Sequence, residues 1–145
     1  MADTTSFSEI FDRAMFQFRD RSIMHLNIED REHVLMIHMF AAMNDFQRVC
    51  RIDLPYDPIN MCFTVKLGHE EIEILALGTA TYWLKSRAHD EDVLHNRLYT
   101  KDYNFFSPAN LLREINNLLE ITEDKFRKSI VEYSYMHSAL SSLKV

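Results

Sequence analysis

The sequence predicts an all-α fold of about four helices packed as a small bundle, the last of them long. Three observations carry that expectation. The 145 residues include 2 glycines and 3 prolines, too few for the many tight turns of a β-sandwich or barrel. Apolar residues recur at spacings of three and four along most of the chain, which is the period of one helix face. Hydrophobic residues make up 47% and charged residues 26%, a balance that supports a packed core and argues against disorder. For this length one domain spanning 1–145 is expected.

Ser6-Phe7-Ser8-Glu9 has the form of a capping box, in which the Ser6 hydroxyl accepts from the Glu9 N–H and the Glu9 side chain reaches back. Phe7, Ile10, Phe11, Ala14, Met15 and Phe18 follow at helical spacing and give a short first helix with an aromatic face. Asp20 to Asn27 reads as a connector. A second helix is expected from near Asn27 or Asp30 to about Cys50, with Val34, Ile37, His38, Ala41, Met43, Asn44, Phe46 and Val49 inward. Residues 51–60, RIDLPYDPIN, carry two prolines and stop that helix. The next residues, MCFTVKL, alternate as a strand does, so one short extended segment near 61–67 is allowed, but no partner for it is evident.

Gly68-His69-Glu70 opens a third helix with acids in its first turn, where the helix dipole favours them. Ile72, Leu75, Ala76, Thr79, Tyr82 and Trp83 form its expected buried stripe. Gly78 inside a helix costs about 1 kcal/mol relative to alanine, a cost that close approach of another backbone would offset. The charged piece from Ser86 to Asn96 either extends this helix or loosens it. Ser107-Pro108 then supplies an N-cap followed by proline at the first helical position. Leu112, Ile115, Leu119, Thr122, Phe126, Ile130, Tyr133 and His137 step by three or four from there, close to a heptad seam.

The residues that could carry chemistry do not converge on a pattern. Seven histidines are present, yet no HExxH string places two of them with a general base on one helix face. His38 and His137 fall on apolar stripes and read as core histidines. Two glycines make neither a GxGxxG turn nor a P-loop, and no GxSxG elbow occurs. Cys50 and Cys62 stand outside any CxxC pair and read as reduced, half-buried thiols. Asp90, Glu91 and Asp92 form a charge run, the usual mark of a solvated face. No catalytic residue, metal site or cofactor is therefore expected.

Net charge narrows the partners. At −6, with lysine and arginine interspersed among acids, the chain has no basic block to capture nucleic acid or anionic lipid. The longest apolar run, Met39 to Met43, is far short of a membrane span. The first residues lack the basic start and apolar middle of a secretory signal. The segment Leu98 to Phe106, LYTKDYNFF, has two readings. Tyr99, Tyr103, Phe105 and Phe106 form either a local cap over the core or an exposed patch that docks on another subunit, with Lys101 and Asp102 orienting the contact. Stacking of bases on these rings is disfavoured without a basic groove.

Taken together, FDRAMFQF in the first helix, EIEILALGTATYWLK in the third, RLYTKDYNFFSPANLLREI and the late EYSY resemble a family of small virion proteins of tailed bacteriophages. These are head–tail connector (neck) proteins of the adaptor type. The resemblance runs over roughly residues 7 to 136 and is weakest at 51–60. It implies a helical subunit that forms a homo-oligomeric ring, dodecameric in such proteins, beneath the portal. The ring would extend the DNA channel and offer a platform to a downstream neck or tail protein, assembling in the cytoplasm of the host bacterium and ending in the virion neck. By position, the implied portal arm is the C-terminal segment 138–145 with Leu140 and Leu143, expected to be flexible. The aromatic connector would meet a neighbouring subunit. Asp90, Glu91 and Asp92 are candidates for the channel wall, past which DNA slides without specific binding. Another neck or tail-completion protein and a cytoplasmic helical regulator that binds a partner protein are the alternative readings.

Overall fold

A computed structural model describes residues 3–18, 26–98 and 108–142. Among these, four helices form the body: α1 (Phe7–Phe18), α2 (Ile28–Cys50), α3 (His69–Leu98) and α4 (Pro108–Ser142). Strands β1 (Thr5–Ser6), β2 (Tyr56–Asp57) and β3 (Cys62–Phe63) make a small antiparallel sheet in the order β1-β3-β2. The predicted helical bundle is what the chain forms. No described helix is long and apolar enough to cross a membrane.

Local chemistry sets the helix ends. The Asn27 side chain accepts the Asp30 N–H at 2.8 Å and starts α2. At its other end Arg51 takes a left-handed conformation, φ 53°, which closes the helix but is costly for a residue with a Cβ. Arg51→Gly should therefore stabilise the protein by about 0.5–1 kcal/mol, read as a higher urea midpoint with an unchanged slope. At α1 the Ser6 hydroxyl meets Ser8 instead of the expected Glu9: Ser6 Oγ accepts the Ser8 N–H at 3.3 Å and pairs with Ser8 Oγ at 2.9 Å. The Pro108 start of α4 is as expected, and the charged piece from Ser86 onward continues α3 to Leu98.

The core is built around α3, which is buried on nearly every side from Ile72 to Thr81. Thr79 and Thr81 tolerate this because each hydroxyl donates to the carbonyl four residues back, Leu75 O and Leu77 O, both at 2.7 Å. Phe7, Ile10, Phe11, Ala14 and Phe18 of α1 close one side. Thr122, Phe126, Ile130 and Tyr133 of α4 close another, as their spacing predicted. Trp83 is half-buried between Phe18, at 5.5 Å between ring centroids, and His38, at 5.9 Å. Tyr82 is half-buried as well and lines a surface groove.

Two expectations about packing and strand pairing need correction. The inward face of α2 is Leu35, Met39, Ala42, Met43 and Phe46, whereas Ile37 and Val49 are exposed. Apolar residues surround this helix between Val34 and Met43, so their pattern does not fix its rotation; packing on α3 does. The extended segment near 61–67 does have partners, since β3 pairs with both β1 and β2. Leu67 N–H further donates to the buried Thr5 hydroxyl at 2.8 Å, and Phe7 N–H to Met61 O at 3.0 Å. Of the segment 138–145 expected to form an arm, residues 138–142 belong to α4, and residues 143–145 lie outside the described residues.

Candidate functional site

Three helices leave an open groove of about 270 Å³ on the bundle surface. Asp45, Arg48 and Val49 of α2 fall on one face because they are three and four residues apart. Thr81, Tyr82 and Lys85 of α3 repeat that spacing, and so do Phe126, Arg127, Ile130 and Val131 of α4, with Glu123 a turn earlier. Phe126 and Ile130 are buried and form an apolar floor, while Val131 is exposed at the edge.

The polar groups of the groove are held in two linked sets. Tyr82 donates its hydroxyl to the Asp45 carboxylate, and Arg48 pairs with the same carboxylate at 3.4 Å. Burial, and then the hydrogen bond to Asp45 and its charge, push the Tyr82 phenol up to about 12. Glu123 accepts from Arg127 at 2.9 Å and from Lys85 at 3.1 Å, and the Lys85 ammonium also lies 5.2 Å from the Tyr82 ring centroid. The carboxylates are sunk and the guanidiniums are not. Side-chain exposure is 26% for Asp45 and 27% for Glu123, against 74% for Arg48 and 71% for Arg127. The groove therefore presents cations at its rim above an apolar floor.

Hydrogen bonding by Arg127, more than the Lys85 contact, holds the Glu123 carboxyl below its ordinary range. A carboxyl with a lowered folded pKa adds stability above its unfolded pKa, and that contribution is lost as pH falls through the folded value. Glu123→Gln should therefore lower stability at neutral pH by about 0.5–1 kcal/mol, the range for a partly exposed pair. It should change stability little in acid. Urea midpoints on both sides of the carboxylate range test this; equal losses at both pH values would assign the effect to packing.

A second cluster joins the ends of α3 and α4. The buried Tyr133 donates to Glu71 at 3.3 Å and stacks on His137 at 3.9 Å between centroids. Burial first, and then Glu71, raise its phenol to about 12. His137, expected in the core, is instead exposed and 4.0 Å from Glu70. His38 is half-buried, and burial lowers its pKa. Cys50 and Cys62 are free, half-buried thiols, as expected. Cys50 donates to Ile130 O at 3.5 Å, and burial raises its pKa. Among the described residues no three His, Cys, Asp or Glu side chains are placed to hold a metal ion.

None of the site residues expected from sequence is among the described residues that line this groove. Tyr99, Lys101, Asp102, Tyr103, Phe105, Phe106 and Leu143 lie outside the described residues. Asp90 is exposed on α3, Glu91 and Asp92 continue that helix, and Leu140 occupies a helical position near the end of α4. The groove itself was not foreseen. Its local pairs, Asp45 with Arg48 and Glu123 with Arg127, are visible as helical charge spacings, but their convergence on Tyr82 and Lys85 is a product of the fold. The chain matches no model of a known protein family, no curated protein and no solved structure.

Proposed function

We propose that this chain acts by assembly, as a virion structural protein of the head–tail connector type whose copies ring the DNA channel beneath a portal. The observation that carries the reading is apolar surface left outside a completed core. Val131 at the groove edge and Tyr135, one turn further along α4, are exposed, and so is Val49 on the α2 side of the groove. None of these three side chains belongs to the buried cluster of the core. Aromatic and aliphatic residues rimmed by arginine are the composition of protein–protein contacts. The sequence likeness to adaptor proteins, and an acidic net charge of −6 that suits a channel wall, point the same way.

The deciding test is negative-stain imaging of the chain mixed with the portal protein of the same genome. An added ring layer on the portal is expected, and failure to bind portal or any neck protein would sink the reading. The assembled ring should also hold DNA weakly and with little dependence on salt. Tight binding that collapses as salt is added would mark a nucleic-acid-binding surface instead.

A further inference from the structure

The turn between β2 and β3 displays an isoleucine on a rigid support. Ile59 is 90% exposed, the most exposed large hydrophobic side chain among the described residues. Its backbone is fixed from several directions. Asp57 Oδ1 accepts the Ile59 N–H at 2.9 Å and the Asn60 N–H at 3.3 Å, and Asp57 Oδ2 accepts from Asn60 Nδ2 at 2.6 Å. Thr64 N–H donates to Pro55 O at 2.9 Å across the base of the turn. Met61 follows in a left-handed conformation, φ 52°, and its carbonyl is held by Phe7. A preorganised side chain loses little entropy when it is bound. The Asn60 hydrogen bonds keep the Asp57 carboxyl below its ordinary range, so the turn carries its charge at neutral pH.

The groove has the complementary character: an apolar floor at Phe126 and Ile130, with Arg48 and Arg127 outermost. It cannot serve the turn of its own chain. The sheet packs on the Phe40 side of α2, where the Phe40 and Tyr56 ring centroids are 5.0 Å apart. Val49 lies nine residues further on, about two and a half turns, and so on the opposite side of the helix. A knob and a hole on different faces of one subunit make a heterologous contact, which generates closed rings or open filaments. We propose that Ile59 of one copy enters the groove of the next, with Asp57 of the turn facing Arg48 and Arg127 of the groove. This rests on the assembly reading above and gives it a specific contact.

The test uses two variants of the full chain, Ile59→Asp and Val131→Asp, each changing an exposed side chain. Both should keep the wild-type circular dichroism and melting temperature. In sedimentation, wild-type protein should form oligomers that grow with concentration, and each variant alone should associate at least about tenfold more weakly. Mixed together, the variants should give a dimer that grows no further, because Ile59→Asp offers an intact groove and Val131→Asp an intact knob. Folded variants that assemble like wild type, or a mixture that stays monomeric, would overturn the contact. So would a wild-type chain still monomeric at about 1 mM, the weak end of specific affinity. Portal binding by that same chain would leave the assembly reading standing, so the two can fail separately.

Discussion

Gly78→Ala should destabilise the protein by about 1–3 kcal/mol, even though alanine is the better helix former by about 1 kcal/mol. An added Cβ at this position would lie 2.7 Å from the Phe126 ring and closer still to the Ala42 Cβ. Neither neighbour can retreat easily. Ala42 is a completely buried residue of α2, and Phe126 is 4% exposed within the α4 seam. The missing side chain lets three helices approach at one level, and that contact offsets the propensity lost to glycine. Urea denaturation should show the lower midpoint, and Ala42→Gly should cost less in the Gly78→Ala chain than in wild type, because it opens one of the two contacts. Stability equal to or above wild type for Gly78→Ala would mean that the helices are not this close.

This approach was legible before the fold because glycine in a helix that otherwise reads as apolar needs a reason. Helix ends were legible for similar reasons: Asn27 and Pro108 are residue types whose chemistry acts on the backbone beside them. The heptad-like steps from Thr122 to Tyr133 also settled the inward face of α4, since polar residues separate the apolar ones. No such contrast exists on α2 around Val34 to Met43, and its inward face became readable only from its contacts with α3. The sheet was illegible for a different reason. Its strands are two residues each and join Thr5 and Ser6 to Phe63 and Cys62, far too short to show a period. The groove combines both difficulties, because Asp45, Tyr82 and Glu123 come from three helices and meet only when the rotation of α2 is known.

The other large effect is expected at Phe7, where the sheet and the helices share one side chain. Phe7 is completely buried, and its ring centroid lies 5.0 Å from Phe63 of β3, 6.0 Å from Phe40 of α2, 6.3 Å from Phe11 and 6.4 Å from Tyr56 of β2. Two-residue strands have too few hydrogen bonds to hold a sheet by themselves, so the ring cluster must supply what the ladder lacks. Phe7→Ala should cost about 3–5 kcal/mol, the range for removing a buried aromatic side chain. The backbone bond from residue 7 to Met61 O is left in place by this change, so any loss reports on the ring. Amide exchange at Phe63 and Leu67 should speed up more than at Leu75, because the damage begins at the sheet and reaches α3 second-hand. Phe16→Ala, at a ring 80% exposed on the same helix, should stay within about 0.5 kcal/mol of wild type. If Phe7→Ala loses no more than Phe16→Ala, the aromatic cluster does not hold the turn that carries Ile59. The displayed isoleucine would then lack the rigid support on which its proposed docking depends.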